Sequence, residues 1–106
     1  MIITTTEKVA GYNIIESLGI VIGNTIRARH IGNDIVAGLR TLIGGEIKEY
    51  TGMLAESREQ ALQRMIAKRK DLHSAGIIEI RFQTSMIMKF TAELLVYGTA
   101  VKLQKI

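Results

Sequence analysis

Gly44-Gly45 splits a stretch of helical periodicity in two, and on either side of that stretch the chain alternates like a β-strand. This switch of period, from two to about 3.6 and back, limits the available folds more than any other feature. Before the glycines, Ile35, Val36, Leu39, Leu42 and Ile43 share one side of a short helix, while Ala37, Gly38 and Thr41 face away. Asn33 or Asp34 can cap its start, because either side-chain oxygen accepts a free backbone N–H. The glycines end it by entering a left-handed cap. A second, longer helix is expected from 47–50 to about residue 72, with Tyr50, Leu54, Ala61, Met65 and Leu72 as its stripe and Leu62 on the flank. By helical spacing Arg58 falls inside that stripe, where its charge needs a partner.

The flanks read as strands. Ile2 to Thr6 is β-branched throughout and Gly11 supplies a turn. From Asn13 to Arg29 the alternation puts Glu16, Leu18, Ile20 and Ile22 on one face and Ile15, Ser17, Gly19 and Val21 on the other. Gly19 and Gly23 interrupt it, implying bends, bulges or a close backbone neighbour, and two strand pieces broken near Gly23-Asn24 are expected. After Gly76, Ile78, Ile80 and Phe82 alternate with Glu79, Arg81 and Gln83; residues 84–91 fit either a longer strand or a wide apolar hairpin loop. Residues 92–103 form a last strand, apolar on both faces, as befits a central strand or one at a subunit contact. The whole chain, residues 1–106, then reads as one domain. It is α+β, two layers deep, a mainly antiparallel sheet with two helices in strand–strand–helix–helix–strand–strand order.

Composition bears on assembly. Hydrophobic residues make up 47% of the chain but aromatics only 5%, and the mean hydropathy is +0.20. For so small a chain, part of that apolar surface is expected in contacts between subunits. The net charge of +4 is gathered largely in Arg64, Lys68, Arg69 and Lys70, late in the second helix, where it suits the helix dipole. With few aromatics interleaved, nucleic acid is disfavoured as a partner. The absence of cysteine, of a secretory signal pattern and of an apolar run of about 18 residues fits a cytoplasmic protein with no membrane partner.

The full set of spacings resembles a known family. Asp34-x-x-Ala37-Gly38-Leu39-Arg40, Gly44-Gly45-Glu46, Tyr50, Ala55-x-x-Arg58-x-x-Ala61 and Tyr97-Gly98-Thr99-Ala100-Val101 are together similar to the YbjQ-like family, small bacterial proteins of unestablished function labelled heavy-metal-binding. The resemblance implies a subunit similar to the dodecin-like group, assembled into a ring-shaped homo-pentamer in which short additional strands join neighbours. The chain departs from the family pattern at His73-Ser74-Ala75-Gly76, at Glu79, where a glycine is usual, and at Gln83, where a carboxylate is common.

Chemistry is sparser than packing. His30 and His73 are far apart and no cysteine is present, whereas zinc sites gather three or four ligands. Ser57, Ser74 and Ser85 lack an activating pattern, and Gly44-Gly45 lacks the lysine and hydroxyl of a phosphate loop. The most informative set is Asp34, Arg40, Glu46, Tyr50 and Arg58. These residues either line a polar pocket between helices or subunits, or lock the helix connection through an Arg58 pair with Glu46 or Asp34. The sequence therefore favours a homo-oligomeric structural or binding assembly over an enzyme. The alternative is a metal- or small-ligand-binding protein that uses carboxylates near the helix connection, with a divalent metal ion as cofactor.

Overall fold

The computed structural model describes residues 1–28, 48–88 and 91–106. Four strands form one mixed sheet: β1 (Ile2–Ile3), β2 (Tyr12–Ala28), β3 (Gly76–Met88) and β4 (Thr91–Lys105), in the order β1-β3-β4-β2. β1 runs parallel to β3, and the other two pairings are antiparallel. One α-helix, α1 (Lys48–Lys68), continues into a 3-10 turn over Arg69–Leu72 and packs on β2 and β4. The α+β class and the mainly antiparallel sheet follow the expected order. Among the described residues there is one α-helix rather than two; the expected first helix over 35–43 lies outside them.

The strands are long. β2 has 17 residues, at about 3.3 Å each, which accounts for a molecule 54 Å in its long dimension and only 24 and 16 Å in the others. The expected break near Gly23-Asn24 does not occur, and β2 pairs with β4 continuously through that point. The irregularities fall earlier, between Ile14 and Glu16 and between Ser17 and Gly19. Gly19 adopts φ 125°, a conformation that side chains rarely allow. The resulting shift separates Leu18, which packs on the core, from Ile20, which does not, so the expected common face of Leu18, Ile20 and Ile22 is corrected.

Gly23 has a different task. A β-carbon there would overlap the Ala61 carbonyl oxygen and the Met65 amide nitrogen and lie 3.0 Å from the Met65 α-carbon. The helix backbone thus rests directly on the strand, a close approach only glycine permits. Beside this crossing, buried Thr25 donates its hydroxyl proton to the Ser57 carbonyl at 3.3 Å. The core around the crossing consists of Val21, Ala61, Met65, Ile77, Ile80, Leu94, Val96 and Ala100, with Leu18, Leu62, Ile66 and Leu72 at its margin. Met65, Ile77 and Val96 are fully buried, each a contribution of about 1.5–3 kcal/mol.

β3 resolves the ambiguity of residues 84–91 in favour of a strand that reaches Met88. Its register with β4 shifts between Ile78 and Arg81, and Glu79 inside that bulge has φ 53°. Glycine is the residue such bulges prefer. Glu79 is held there by its N–H, which donates to the Thr6 carbonyl at 3.1 Å, while the next N–H, of Ile80, donates to Thr4. Because of the bulge, Ile77 and Ile80 both join the core, and the expected single face of Ile78, Ile80 and Phe82 is corrected. At the other end of the helix His73 closes the 3-10 turn in the left-handed conformation, and its N–H returns to the Lys70 carbonyl at 3.2 Å.

Candidate functional site

The Gly23–Ala61 crossing decides what each face of the sheet shows. Residues paired across antiparallel strands point to the same side. Gly23 pairs with Val96 and Thr25 with Leu94, which places all four beneath α1. Their neighbours then face the other way: Ile22 beside Tyr97, Asn24 beside Leu95, Ile26 beside Glu93 and Ile20 beside Thr99. In an antiparallel sheet with one covered face, that second face is normally polar. Here Ile20 is 71% exposed and Ile26 59%, with Ile22 and Tyr97 also exposed and Leu95 half-buried. Two polar members of the face engage each other, the Asn24 amide donating to a Glu93 carboxylate oxygen at 3.1 Å. Across β4, Arg81, Gln83 and Ser85 of β3 lie on this side, all exposed, as a polar border, while Ile78, paired with Thr99, is buried.

The five residues singled out in the sequence fare differently. Asp34, Arg40 and Glu46 lie outside the described residues. Tyr50 belongs to the first turns of α1, and only its backbone is described. Arg58 is exposed, which corrects its expected burial in the helix stripe. The stripe is centred on Ser57 and Ala61, both fully buried, so Arg58 sits at its rim and a long side chain carries its charge into water. Sequence periodicity passed over Ser57 because it is polar. The signal was its smallness one turn before Ala61, where its carbonyl accepts from Thr25.

Other possible sites are less built. An open groove of about 1150 Å³ runs along the N-terminal segment beside Ile2, Thr4, Lys8, Tyr12 and Ile106. Its hydroxyls serve the chain's own turn: Thr6 donates to the Lys8 carbonyl at 2.6 Å, and Thr4 and Thr6 lie 2.8 Å apart. Ser57 and Ser74 are buried, and the Ser74 hydroxyl lies against the Gly76 and Val101 carbonyls, joining the helix end to the sheet. Among the described residues, no three of His, Cys, Asp and Glu stand close enough to hold a metal ion. His73 has its structural place in the turn, and His30 lies outside the described residues. No helix among the described residues is long and apolar enough to cross a membrane.

These features define a small α+β protein whose most prominent described surface is an uncovered apolar sheet face. The chain belongs to the YbjQ-like family, whose description reads "Putative heavy-metal-binding", matched over residues 1–104. It is 53% identical to a UPF0145 protein of Pseudothermotoga lettingae over the whole of both chains. It is 54% identical to one of Methanoculleus marisnigri, across 97% of this chain and 96% of the other. Another relative comes from Archaeoglobus fulgidus, so the family extends to archaea and the expectation of a bacterial family is too narrow. In fold the chain is similar to a crystal structure of a protein of unknown function from the DUF74 family of Pediococcus pentosaceus, with a TM-score of 0.71 at 19% identity and 98% of each chain covered.

Proposed function

We propose that the protein is a cytoplasmic homo-oligomer, a structural or binding assembly whose subunits cover one another's exposed sheet surfaces. The observation that carries this reading is the row of apolar side chains that α1 leaves open. Isoleucines line the far side of β2, with Ile20 and Ile26 the most exposed of them. Elongation agrees: the radius of gyration is 17.5 Å, against about 13 Å for a compact chain of this length. A subunit this extended encloses little core of its own, so association supplies burial that the single chain lacks. Resemblance to ring-shaped pentamers supports five as the number of copies.

Native mass spectrometry of the purified protein, with and without chelator, tests the reading. A mass that is a multiple of 11.7 kDa is expected, and a monomer at micromolar concentration would refute it. The family description supports a second reading, in which carboxylates near the helix connection, Asp34 and Glu46 among them, hold a divalent metal ion. That reading requires a mass increment that chelator removes, and an unchanged mass would end it in this form.

A further inference from the structure

We infer that the arm formed by residues 2–6 is a detachable strap on the edge of β3, and that its docking sets the handedness of the backbone at Glu79. Little apolar burial holds the arm. None of its residues joins the core cluster; Ile3, Thr5 and Thr6 are exposed, and Ile2 and Thr4 are half-buried. Hydrogen bonds attach it instead. Three successive carbonyls each meet a donor from β3: Thr4 accepts from the Ile80 N–H at 3.1 Å, Thr5 from the Arg81 guanidinium at 2.9 Å and Thr6 from the Glu79 N–H at 3.1 Å. The Thr4 N–H in turn donates to the Ile77 carbonyl at 3.0 Å. A segment bonded in this way, with few apolar contacts, opens at a lower free energy than the strands behind it.

Opening acts on the bulge. Bulges of this kind take two forms, one with the bulged residue right-handed, open to any residue, and one left-handed, which glycine prefers. Glu79 adopts the left-handed form, at φ 53°, against the preference of a residue that carries a side chain. Both forms set two residues of β3 against one of β4, so both keep Ile77 and Ile80 turned inward. Gly98 makes room for that pair: a β-carbon there would stand 2.6 Å from Ile77 and 3.1 Å from Ile80. The contacts that select the left-handed form belong to the arm, since the adjacent N–H groups of Glu79 and Ile80 both end on its carbonyls. A turn holds those carbonyls in place, the Thr6 N–H donating to the Thr4 hydroxyl at 3.1 Å. Docked, the arm keeps Glu79 left-handed; released, it lets Glu79 relax and bares the edge of β3. The same motion removes one wall of the groove beside Ile2, Thr4 and Thr6.

Residue-resolved hydrogen exchange at one fixed protomer concentration tests this. In the wild type the amides of Thr4, Glu79 and Ile80 should exchange together, about tenfold or more faster than the amides paired between β2 and β4. Glu79→Gly accepts the left-handed form freely, so protection of the Thr4 amide, whose own neighbours in the chain are unchanged, should rise about fivefold. Glu79→Ala keeps the backbone penalty and loses only an exposed carboxylate, so it should leave that protection within about twofold. Arg81→Met removes the contact to Thr5 and should lower it about threefold to tenfold. Arm amides as well protected as those between β2 and β4 would overturn the inference, because the arm would then open only with the whole sheet. Equal Thr4 protection in the Gly and Ala variants would also overturn it, because Glu79 would then be indifferent to docking.

Discussion

If α1 rests on the backbone of β2 at Gly23, one added methyl group should separate them. Gly23→Ala places a β-carbon inside the van der Waals envelopes of the Ala61 carbonyl oxygen and the Met65 amide nitrogen. Both are helix backbone atoms, so no side-chain rotation relieves the overlap. Restoring ordinary contact needs a displacement of about 1 Å, and a gap of that size forfeits a quarter to a half of the contact energy around it. Overpacking typically costs about 1–3 kcal/mol, and the rigidity of the neighbours puts this site at the upper end, about 3 kcal/mol. For a chain of this size that corresponds to a Tm lower by roughly 12–20 °C. Gly52→Ala is the matched control: it lies within α1, nothing stands within 4 Å of its β-carbon, and it should stabilise by about 0.5–1 kcal/mol. Both variants would be followed by thermal and urea unfolding at one fixed protomer concentration, since association shifts apparent stability. A folded Gly23→Ala protein within about 0.5 kcal/mol of wild type would refute the direct backbone contact.

Further outcomes follow from single contacts. Thr25→Val keeps the shape of a buried side chain but removes its proton to Ser57, and urea unfolding should show a loss of about 0.5–1.5 kcal/mol. Glu79→Gly relieves a left-handed backbone and should leave stability equal or higher by up to about 1 kcal/mol, whereas Glu79→Val should lower it. Met65→Ala empties a fully buried position and should cost about 2–5 kcal/mol. Arg58→Met, at an exposed position, should stay within about 0.5 kcal/mol of wild type in the same assay.

Local pattern was enough for the element types. Helical spacing from Leu54 to Leu72 and alternation from residue 92 onward were legible because each depends on neighbours in sequence. The family was legible too, through spacings spread over the chain. The expected pocket residues Asp34, Arg40 and Glu46 lie outside the described residues, and Arg58 is exposed on α1.

Tertiary structure decided which side of each element faces inward. One bulge at Gly19 reversed the faces of β2, and another at Glu79 put Ile77 and Ile80 together in the core, because a single inserted residue exchanges the two sides of a strand. On the helix, Ser57 rather than Arg58 joins Ala61 and Met65 in the buried stripe. The helix backbone lies close to β2 at Gly23, and one turn earlier the small Ser57 is buried with its carbonyl on Thr25. The sequence by itself determined the helix and strands, their order and the excess of apolar residues. Only the packed sheet showed where that excess lies, because the bulges and the helix crossing that sort β2 into a covered and an uncovered face are contacts between segments far apart in the chain.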